Sequence, residues 1–259
     1  MTVLKNVKGL VRRAGGVIFG RTPRLHTIPF GPLRGKRICT LFEFSPRAFL
    51  GIYDPWLAAL ARKHIRANNV VYDIGAHIGY TALLFADVLN GSGEVHAFEI
   101  LPSMVETFLK PTIAANEFQN IFVHAVGLSS REHTIELPVG ATGMTSIAAR
   151  VPDGAQTDVC RVTTLDAYVS EMNLPRPSFI KMDIERAEVE CLKGADQVLR
   201  NCRPTLVIEF HGVELIEEGF RKLDPLGYSL FTRKGNRIHA RHFERMPRFH
   251  ESVLCLPEP

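Results

Sequence analysis

From residue 70 onward, short apolar runs alternate with longer segments in which apolar residues recur every three or four positions. The short runs predict strands that are buried on both faces, and the longer period predicts amphipathic helices. The predicted strands are Val70–Asp73, Gly93–Glu99, Ile121–Val126, Ser178–Asp183, Thr205–Phe210, Tyr228–Thr232 and Ser252–Leu256. The predicted helices are Tyr80–Leu89, Ser103–Glu117, Leu165–Met172, Glu185–Asn201 and Val213–Leu223. This alternation is typical of an α/β fold with a doubly wound, Rossmann-like and mostly parallel sheet.

Two regions depart from this alternation. Residues 129–164 contain Thr134–Leu137 and Val159–Val162, which predict an antiparallel excursion on either side of a Pro- and Gly-rich stretch. Residues 1–52 read as a basic N-terminal extension with an amphipathic helix and short strands. The main domain is then predicted to span 53–259. Near its start, Asp54-Pro55 predicts an N-cap followed by proline at the first position of a helix.

The N-terminal helix is predicted over residues 3–18. Its apolar residues fall on one helical face, and Lys5, Lys8 and Arg12 fall on the other. A solvated helix, or one packed against a partner, is the simpler interpretation. Peripheral contact with an anionic membrane surface is the alternative.

Composition excludes two broad classes of protein. The 259 residues are 46% hydrophobic and 22% charged, with a mean hydropathy of +0.03. This is enough apolar material to exclude a disordered chain, and no apolar run approaches the roughly 18–20 residues that a membrane-spanning helix needs. The net charge of +4 conceals a split, because residues 1–70 carry +11, 71–220 carry −11 and 221–259 carry +4. The function of the protein has to explain the acidic middle of the chain, residues 71–220.

The cysteines bear on the cellular compartment. Five of them are scattered along the chain, with neither the pairing of a disulfide framework nor the spacing of a zinc cluster. Free thiols favour a reducing compartment. The first twenty residues also lack the apolar core of a signal peptide. We therefore expect a cytoplasmic protein.

The first predicted strand ends in a glycine turn that resembles a nucleotide-binding turn. In V-V-Y-D-I-G-A-H-I-G-Y, residues 70–80, Gly75 and Gly79 flank the turn and Asp73 lies at the strand tip. Twenty residues after Gly79, the second strand ends at Glu99. An acid at that place accepts two hydrogen bonds from ribose hydroxyls. The competing interpretation is an ordinary strand–turn–helix, and Glu99 together with Asp73 favours an adenosine-type cofactor.

The type of cofactor follows from what the turn lacks. A dinucleotide fingerprint needs a middle glycine so that the backbone can approach a pyrophosphate, and His77 stands there. No G-x-x-x-x-G-K-[ST] phosphate loop is present in the sequence. S-adenosylmethionine, which has a ribose and no phosphate, therefore fits better than NAD, and an NAD-type oxidoreductase is the less favoured alternative. Asp73 is expected to face the sulfonium or amino end, and Ala125 and Val126 the adenine.

A second set of polar residues follows the next strands. In F-I-K-M-D-I-E-R-A-E, residues 179–188, Asp183 ends a buried strand, and I-E-F-H ends the neighbouring strand with Glu209 and His211. Such a group at one sheet edge binds a substrate hydroxyl or acts as a general base, and we nominate Asp183 as the base, assisted by Glu209 and His211. A divalent cation such as Mg²⁺, held by Asp183 and Glu209, is the second interpretation. A solvated rim is the third.

Several motifs in sequence order resemble the FkbM family of S-adenosylmethionine-dependent methyltransferases, within the class I methyltransferase fold. The resemblance covers residues 53–257 and rests on the segments 70–80, 95–99, 162–166, 179–195, 203–211 and 252–257. It implies a seven-stranded sheet whose last strand is antiparallel, and O-methylation of a hydroxyl on a sugar or natural product. The cofactor-binding positions expected from motif and resemblance together are Asp73, Gly75, Ala76, His77, Gly79, Tyr80, Glu99, Ile100, Ala125, Val126 and Asp183.

Three positions depart from the family pattern. His77 stands where asparagine is usual, Ile100 where proline is usual, and Arg186 where a glycine normally follows the second acid. Arg186 would pair with an acidic substrate or neutralise Glu185 and Glu188. It is also the best support for a catalytically degenerate, cofactor-binding module as an alternative function.

The acceptor is expected to be a small molecule or a glycan. The basic ends of the chain would suit a nucleic-acid substrate. The sequence argues against one, because it has no N-P-P-Y or D-P-P-Y type motif and no interleaving of aromatic and basic residues. Three further positions are candidates near the cleft: Tyr53 over the cofactor, and Thr145 and Ser146 in the acceptor pocket.

Overall fold

A computed structural model describes residues 22–42, 44–139, 154–245 and 249–258. The predicted helix over 3–18 and the candidates Thr145 and Ser146 lie outside the described residues. The strands are β1 (Arg24–Thr27), β2 (Arg37–Thr40), β3 (Val70–Ile74), β4 (Glu94–Glu99), β5 (Ile121–Ala125), β6 (Gly127–Leu128), β7 (His133–Pro138), β8 (Thr157–Thr163), β9 (Phe179–Met182), β10 (Thr205–Phe210), β11 (Tyr228–Phe231) and β12 (Glu251–Pro257).

The helices connect these strands. They are α1 (Pro46–Leu50), α2 (Pro55–His64), α3 (Tyr80–Leu89), α4 (Pro102–Met104), α5 (Lys110–Ala114), α6 (Leu165–Glu171), α7 (Glu188–Lys193), α8 (Asp196–Cys202) and α9 (Val213–Leu223). A π-helical turn, Val105–Leu109, joins α4 to α5, and 3₁₀ turns span Asp224–Leu226 and Ala240–Arg245. Among the described residues, no helix is long and apolar enough to cross a membrane.

Seven strands form one mixed sheet in the order β11-β12-β10-β9-β3-β4-β5. Strand β12 runs antiparallel to both of its neighbours, and the other pairs are parallel. This confirms the predicted Rossmann-like sheet with an antiparallel last strand. The strand order reverses at β3, since β4 follows on one side and β9 on the other. Ligands of open α/β sheets bind beyond the carboxyl ends of the strands at such a point.

Alternate residues of the central strands pack into two different cores, one on each face of the sheet. One core contains Val71, Val95 and Val207. The other contains Tyr72, Phe98 and Ile208. Burial on both faces explains why these strands read as continuous apolar runs.

The described part of the N-terminal extension packs on the same core as the main sheet. Strands β1 and β2 form an antiparallel pair, as expected for short strands, and Ile28 and Ile38 are fully buried in the core that contains Val71. The Cys39 N–H donates to Thr112 Oγ1 at 2.9 Å, which ties β2 to α5. The domain boundary at residue 53 stays a prediction.

The excursion between β5 and α6 is a small separate sheet in the order β6-β8-β7. Strands β7 and β8 are antiparallel, as the alternating pattern predicts. The parallel partner β6 was not predicted, because its two residues, Gly127 and Leu128, are too few to show a period.

The predicted helix Glu185–Asn201 is wrong as a single element. Glu185 and Arg186 have φ angles of 49° and 81°, so helical geometry starts only at Glu188. A second break follows at Gly194, where an added Cβ would lie 2.1 Å from the Ser129 carbonyl oxygen. The chain must pass this close to Ser129, and α7 and α8 are therefore separate helices.

The predicted helix Ser103–Glu117 is also interrupted. Pro111 has no N–H to donate to the carbonyl of Thr107, four residues earlier, and the helix widens to a π-turn just before it. The Cys39 thiol lies 3.4 Å from that carbonyl and donates to it. A side chain from β2 therefore contacts the helix at its π-turn.

Candidate functional site

A cavity of about 360 Å³ lies at the carboxyl ends of β3, β4, β9 and β10, where the strand order reverses. Its volume lies in the ordinary range for small-molecule sites. Its lining residues are Phe44, Ser45, Ala48, Tyr53, Ile74, Gly75, Ala76, His77, Ile78, Tyr80, Thr81, Phe98, Glu99, Ile100, Leu101, Val126, Gly127, Leu128, Lys181, Asp183, Ile184, Glu185, Glu209, His211 and His250. Glu99 of the first predicted group and Asp183, Glu209 and His211 of the second therefore share one cavity.

The glycine turn after β3 forms one wall. Gly75 has a φ of 82°, and a Cβ there would lie 1.9 Å from the Asp183 carbonyl oxygen, so only glycine fits. Gly79 has a φ of 89° and precedes the first residue of α3, but it does not line the cavity. Its role is geometric, because a Cβ there would meet Leu109 at 2.9 Å.

Glu99 is fixed by the backbone at the end of β4. One carboxylate oxygen accepts the His77 N–H at 2.9 Å, and the other accepts the Leu101 N–H at 3.1 Å. Burial raises the pKa of Glu99. Each oxygen keeps a lone pair beyond these bonds, and the side chain lines the cavity. This arrangement fits a ribose, which offers two neighbouring hydroxyl donors.

An apolar wall lies beside Glu99. Ile100 and Val126 both line the cavity, as expected for the adenine position. Gly127 makes room for Ile100, since a Cβ on Gly127 would lie 2.5 Å from the Ile100 side chain. Ala125 differs from the prediction. It is exposed on the edge strand β5 and does not line the cavity, because alternate residues of a strand point to opposite faces.

His77 adopts the left-handed conformation, with a φ of 51°. Asparagine tolerates this conformation better than most residues, which accounts for the usual family residue at this turn. Burial lowers the pKa of His77 to about 4, so its imidazole is neutral at pH 7. The ring stacks on Phe44 at 5.1 Å, and Nε2 is buried without a hydrogen-bond partner among the described residues. Because this nitrogen lies in the cavity wall, a polar atom of a bound ligand would provide the missing hydrogen bond.

Asp73 does not occupy the predicted position. Its side chain is fully buried behind the turn and does not line the cavity. It pairs with Lys181 at 3.3 Å and accepts a hydrogen bond from Thr81 Oγ1 at 2.6 Å. The carboxylate therefore has an internal partner, and direct contact with a sulfonium is not available to it in this arrangement.

Lys181 is a cavity residue that the sequence interpretation missed. Its ammonium group donates to the Gly75 carbonyl at 2.7 Å, which ties β9 to the glycine turn. Burial alone would lower the pKa of Lys181, but the charges of Asp73 and Asp183 outweigh it and hold the pKa above its usual range. A lysine inside the apolar run F-I-K-M is the signal that could have found it, because a charge on a buried strand needs a partner.

His211 brings four carboxylates together at the opposite end of the cavity. Its Nδ1 lies 2.8 Å from the fully buried Glu188. Its Nε2 lies 3.4 Å from Glu185 and 3.7 Å from Asp183. Burial by itself would lower the pKa of His211, but the hydrogen bond to Glu188 and the surrounding negative charges raise it to about 9. The ring is therefore protonated at neutral pH, which does not suit a proton acceptor.

Glu209 on β10 is the fourth carboxylate near His211. It lies 3.2 Å from Nε2 of His250 and accepts a hydrogen bond from Ser252 Oγ at 3.4 Å. Burial and the nearby charge of Asp183 raise the pKa of Glu209. His250 was missed, and only the antiparallel register of β12 beside β10, which pairs Ser252 with Glu209, brings it to the site.

Arg186 differs from both sequence expectations. Its side chain is half-exposed and lies outside the cavity lining, where it pairs with Glu214 at 2.6 Å and donates to the His211 carbonyl at 2.8 Å. The guanidinium thus neutralises neither Glu185 nor Glu188. Only its backbone N–H reaches Glu188, at 3.0 Å.

Two tyrosines close the cavity next to α2. Tyr53 and Tyr80 both line it, and their rings pack at 5.4 Å. The Tyr80 hydroxyl donates to the Gly51 carbonyl at 3.0 Å, which holds the segment before α2 against the glycine turn. Trp56 lies beneath Arg233 at 4.8 Å and does not line the cavity.

The strand order, the antiparallel β12 and the cavity at the carboxyl ends define a class I, S-adenosylmethionine-dependent methyltransferase fold. Within this class, the chain belongs to the FkbM methyltransferase family, because the family model described as methyltransferase FkbM domain matches residues 73–240. The matched segment includes the glycine turn, Glu99 and the cluster around His211.

Relatives and solved structures are more distant. The hexuronic acid methyltransferase AglP of Haloferax volcanii is 27% identical over 148 residues, which are 56% of this chain and 56% of that protein. The chain therefore spans about half the length of the curated relative it matches. The crystal structure of methyltransferase FkbM from Methylobacillus flagellatus KT has a TM-score of 0.43 at 24% identity, covering 74% of this chain and 44% of that one. Aeropyrum pernix fibrillarin, solved with S-adenosyl-L-methionine, has a TM-score of 0.46 at 12% identity, covering 77% and 73%.

Proposed function

We propose that this protein is an S-adenosylmethionine-dependent O-methyltransferase that acts on a hydroxyl of a sugar or a small natural product. The observation that carries the proposal is a single cavity with two chemically different ends. One end has Glu99 and an apolar wall, and the other has Asp183, Glu209 and His211. A ribose-binding end and an acid-rich end in one space suit a donor and an acceptor held side by side.

The cofactor end would hold S-adenosylmethionine through groups that are already in place. Glu99 would accept the two ribose hydroxyls, and the backbone of the turn at Gly75, Ala76 and His77 would lie along the amino-acid part. Ile100 and Val126 would cover the adenine. When bound, the cofactor supplies a methyl group on a positively charged sulfur.

The acceptor end would position a hydroxyl and take its proton. Asp183 is the proposed base, since it lines the cavity and is 21% exposed, within reach of a ligand. A base at the hydroxyl contributes about 10²–10⁴-fold, and correct orientation contributes roughly 7–11 kcal/mol in favourable cases. His211 carries a proton at neutral pH, so its proposed part is to orient the carboxylates, and Glu209 would bind an acceptor hydroxyl. The same carboxylates would also serve the alternative divalent cation at Asp183 and Glu209.

The substrate class rests on the family and on the charge of the site. AglP is a hexuronic acid methyltransferase, which supports a sugar acceptor for this chain as well. Three carboxylates at the acceptor end disfavour a polyanion such as a nucleic acid. The cytoplasmic location stays a prediction, which the free state of all five cysteines supports.

The test is methyl transfer itself. The full-length chain is incubated with isotopically labelled S-adenosylmethionine and extracts of metabolites or glycans, and labelled products are identified by mass spectrometry. We expect a label on the oxygen of a hydroxylated species, and Asp183→Asn is expected to lower turnover at least 100-fold with little change in cofactor affinity. Asp183→Asn with full turnover on the identified acceptor would remove the base assignment.

The alternative function is a degenerate module that binds the cofactor without catalysis. Arg186 was its best support, and its position outside the cavity weakens that support. Cofactor binding without transfer to any hydroxylated acceptor would favour the module. Binding of NAD in place of S-adenosylmethionine would favour the oxidoreductase, for which the family gives no support.

A further inference from the structure

We infer that His211, Asp183 and Glu185 form a binding site for a divalent transition-metal ion such as Mn²⁺ or Zn²⁺ at the acceptor end of the cavity. His211 Nε2 and one oxygen from each carboxylate lie within 4.8 Å of one another. Glu209 and His250 form a second group of the same size with His211. The five side chains thus surround one space, with His211 common to both groups.

The distances from His211 Nε2 to the nearby carboxylate oxygens are long for hydrogen bonds. They are closer to the separation of two atoms that bind the same metal ion. Nε2 lies 3.4 Å from Glu185 and 3.7 Å from Asp183, beyond the usual range of an N–H···O bond. Two ligand atoms at about 2.0–2.2 Å from one tetrahedral ion are roughly 3.3–3.6 Å apart, which is close to both distances. By contrast, the two buried histidines on β4 and β5, His96 and His124, hydrogen-bond directly at 3.0 Å.

His211 also carries an independent sign of a ligand. Its side chain is only 7% exposed and lines the cavity. Among the described residues, Nε2 makes no hydrogen bond and has only long contacts to the Glu185 and Asp183 carboxylates. A ring nitrogen without a hydrogen bond, on a largely buried side chain that lines a cavity, leaves room for a ligand from outside the chain.

The other ring nitrogen is held as a metal-ligating histidine requires. Nδ1 lies 2.8 Å from Glu188, which is fully buried and also accepts the Arg186 N–H. Histidines that bind metals almost always donate their second N–H to a carboxylate or a carbonyl, which fixes the tautomer and the ring orientation. Glu188 is therefore a positioning residue, since it presents Nε2 to the cavity without touching the ion. The bound ion would take the place of the Nε2 proton, as metal ligation of a histidine releases a proton.

The donor set indicates the class of metal. Imidazole nitrogen favours Zn²⁺, Fe²⁺ and similar ions, whereas Mg²⁺ prefers oxygen ligands alone. A mixed set of one imidazole and two carboxylates therefore favours a first-row transition ion over the Mg²⁺ suggested by the sequence. If the proposed methyl transfer is correct, an acceptor hydroxyl bound at this place would be polarised for loss of its proton.

Direct metal binding tests the inference. The tag-free full-length chain is stripped with a chelator, and free Mn²⁺ is measured by electron paramagnetic resonance during titration. We expect one saturable site, from which Zn²⁺ displaces Mn²⁺ at a lower concentration than Mg²⁺ does. His211→Gln and Asp183→Asn are expected to weaken binding at least tenfold, and Glu188→Gln 10- to 100-fold. The exposed His239→Ala controls for adventitious binding at surface histidines, and circular dichroism confirms that each variant is folded.

The absence of saturable Mn²⁺ or Zn²⁺ binding would overturn the inference and leave an ion-pair network around a protonated His211. Equal binding by wild type and His211→Gln would overturn it too, as would equal displacement by Mg²⁺ and Zn²⁺. S-adenosylhomocysteine binding is measured separately in the stripped protein. Cofactor binding without metal binding refutes the metal site alone, whereas metal binding without cofactor binding refutes the proposed function alone.

Discussion

The pair between Lys181 and Asp73 offers the sharpest test of how the glycine turn is held at the cavity. Both side chains are more than nine-tenths buried, and Asp73 Oδ1 lies 3.3 Å from the Lys181 ammonium and has no hydrogen-bond partner among the described residues. Lys181→Met keeps the length of the side chain and removes its charge. Asp73 would then remain as a buried carboxylate that, within the described part of the chain, keeps only the hydrogen bond from Thr81.

Removing one partner of a buried ion pair costs about 3–5 kcal/mol, because an uncompensated charge stays behind. The Gly75 carbonyl, which accepts from Lys181 at 2.7 Å, also loses its donor, and that adds about 1 kcal/mol. We therefore expect Lys181→Met to lower the free energy of unfolding by about 4–6 kcal/mol. The double variant Asp73→Asn/Lys181→Met should recover about half of this loss, since no charge remains buried.

The assay is urea unfolding, followed by circular dichroism and by the fluorescence of Trp56, the single tryptophan. Coincidence of the two transitions is required before free energies are compared. Lys193→Met is the matched control. It removes a half-exposed lysine paired with Glu190 and is expected to cost less than about 1 kcal/mol. A loss below about 1 kcal/mol for Lys181→Met, or a double variant as unstable as the single one, would refute the reasoning.

Three further outcomes are expected. Glu99→Gln should weaken S-adenosylmethionine binding by about 10- to 100-fold in calorimetry. Glu94→Gln, at the other end of β4, should leave the affinity unchanged. Equal affinities of Glu99→Gln and the wild type would remove the ribose assignment. Burial lowers the pKa of His124 to about 4, so the native state binds fewer protons than the unfolded chain as pH falls below about 6.5. Stability is therefore lost as the pH falls. His124→Gln should reduce this loss between pH 7 and 5 by about 2 kcal/mol, measured as free energies of unfolding in urea titrations. An unchanged dependence of the free energy of unfolding on pH would contradict this. Arg186→Gly should be more stable than Arg186→Ala by about 1 kcal/mol in thermal unfolding, because only glycine adopts the φ of 81° without strain, and the reverse order would contradict this.

The sequence predicts best where one local rule decides the structure. Asp54 and Pro55 begin α2 as an N-cap and a first helical residue, and the Asp54 side chain accepts the Leu57 N–H at 3.1 Å. Glu99 lines the cavity because its spacing from the glycine turn is set by one helix and one strand. Within such units, the order of residues alone determines which side chains meet.

The sequence predicts the position of a side chain less well where contacts between two distant segments determine it. Asp73 was predicted to face the cofactor from its place at the end of a strand. Its true partner, Lys181, was missed because it lies more than a hundred residues away on β9. His250 reaches Glu209 only through the register of the antiparallel β12. The break at Glu185 and Arg186 was missed for a different reason, since left-handed residues other than glycine leave little trace in a periodic pattern.

The acidic middle of the chain now has a structural meaning. Much of its negative charge lies on the surface, but Asp183, Glu185, Glu188 and Glu209 converge on His211. Lys181 offsets only part of this charge, because its ammonium also pairs with Asp73 and donates to the Gly75 carbonyl. The acceptor end therefore keeps an excess of negative charge, which favours hydroxyl donors and cations and repels anions. A positively charged sulfonium at the neighbouring cofactor end would be stabilised by the same field, so the charge that excludes a polyanionic acceptor also suits the proposed donor.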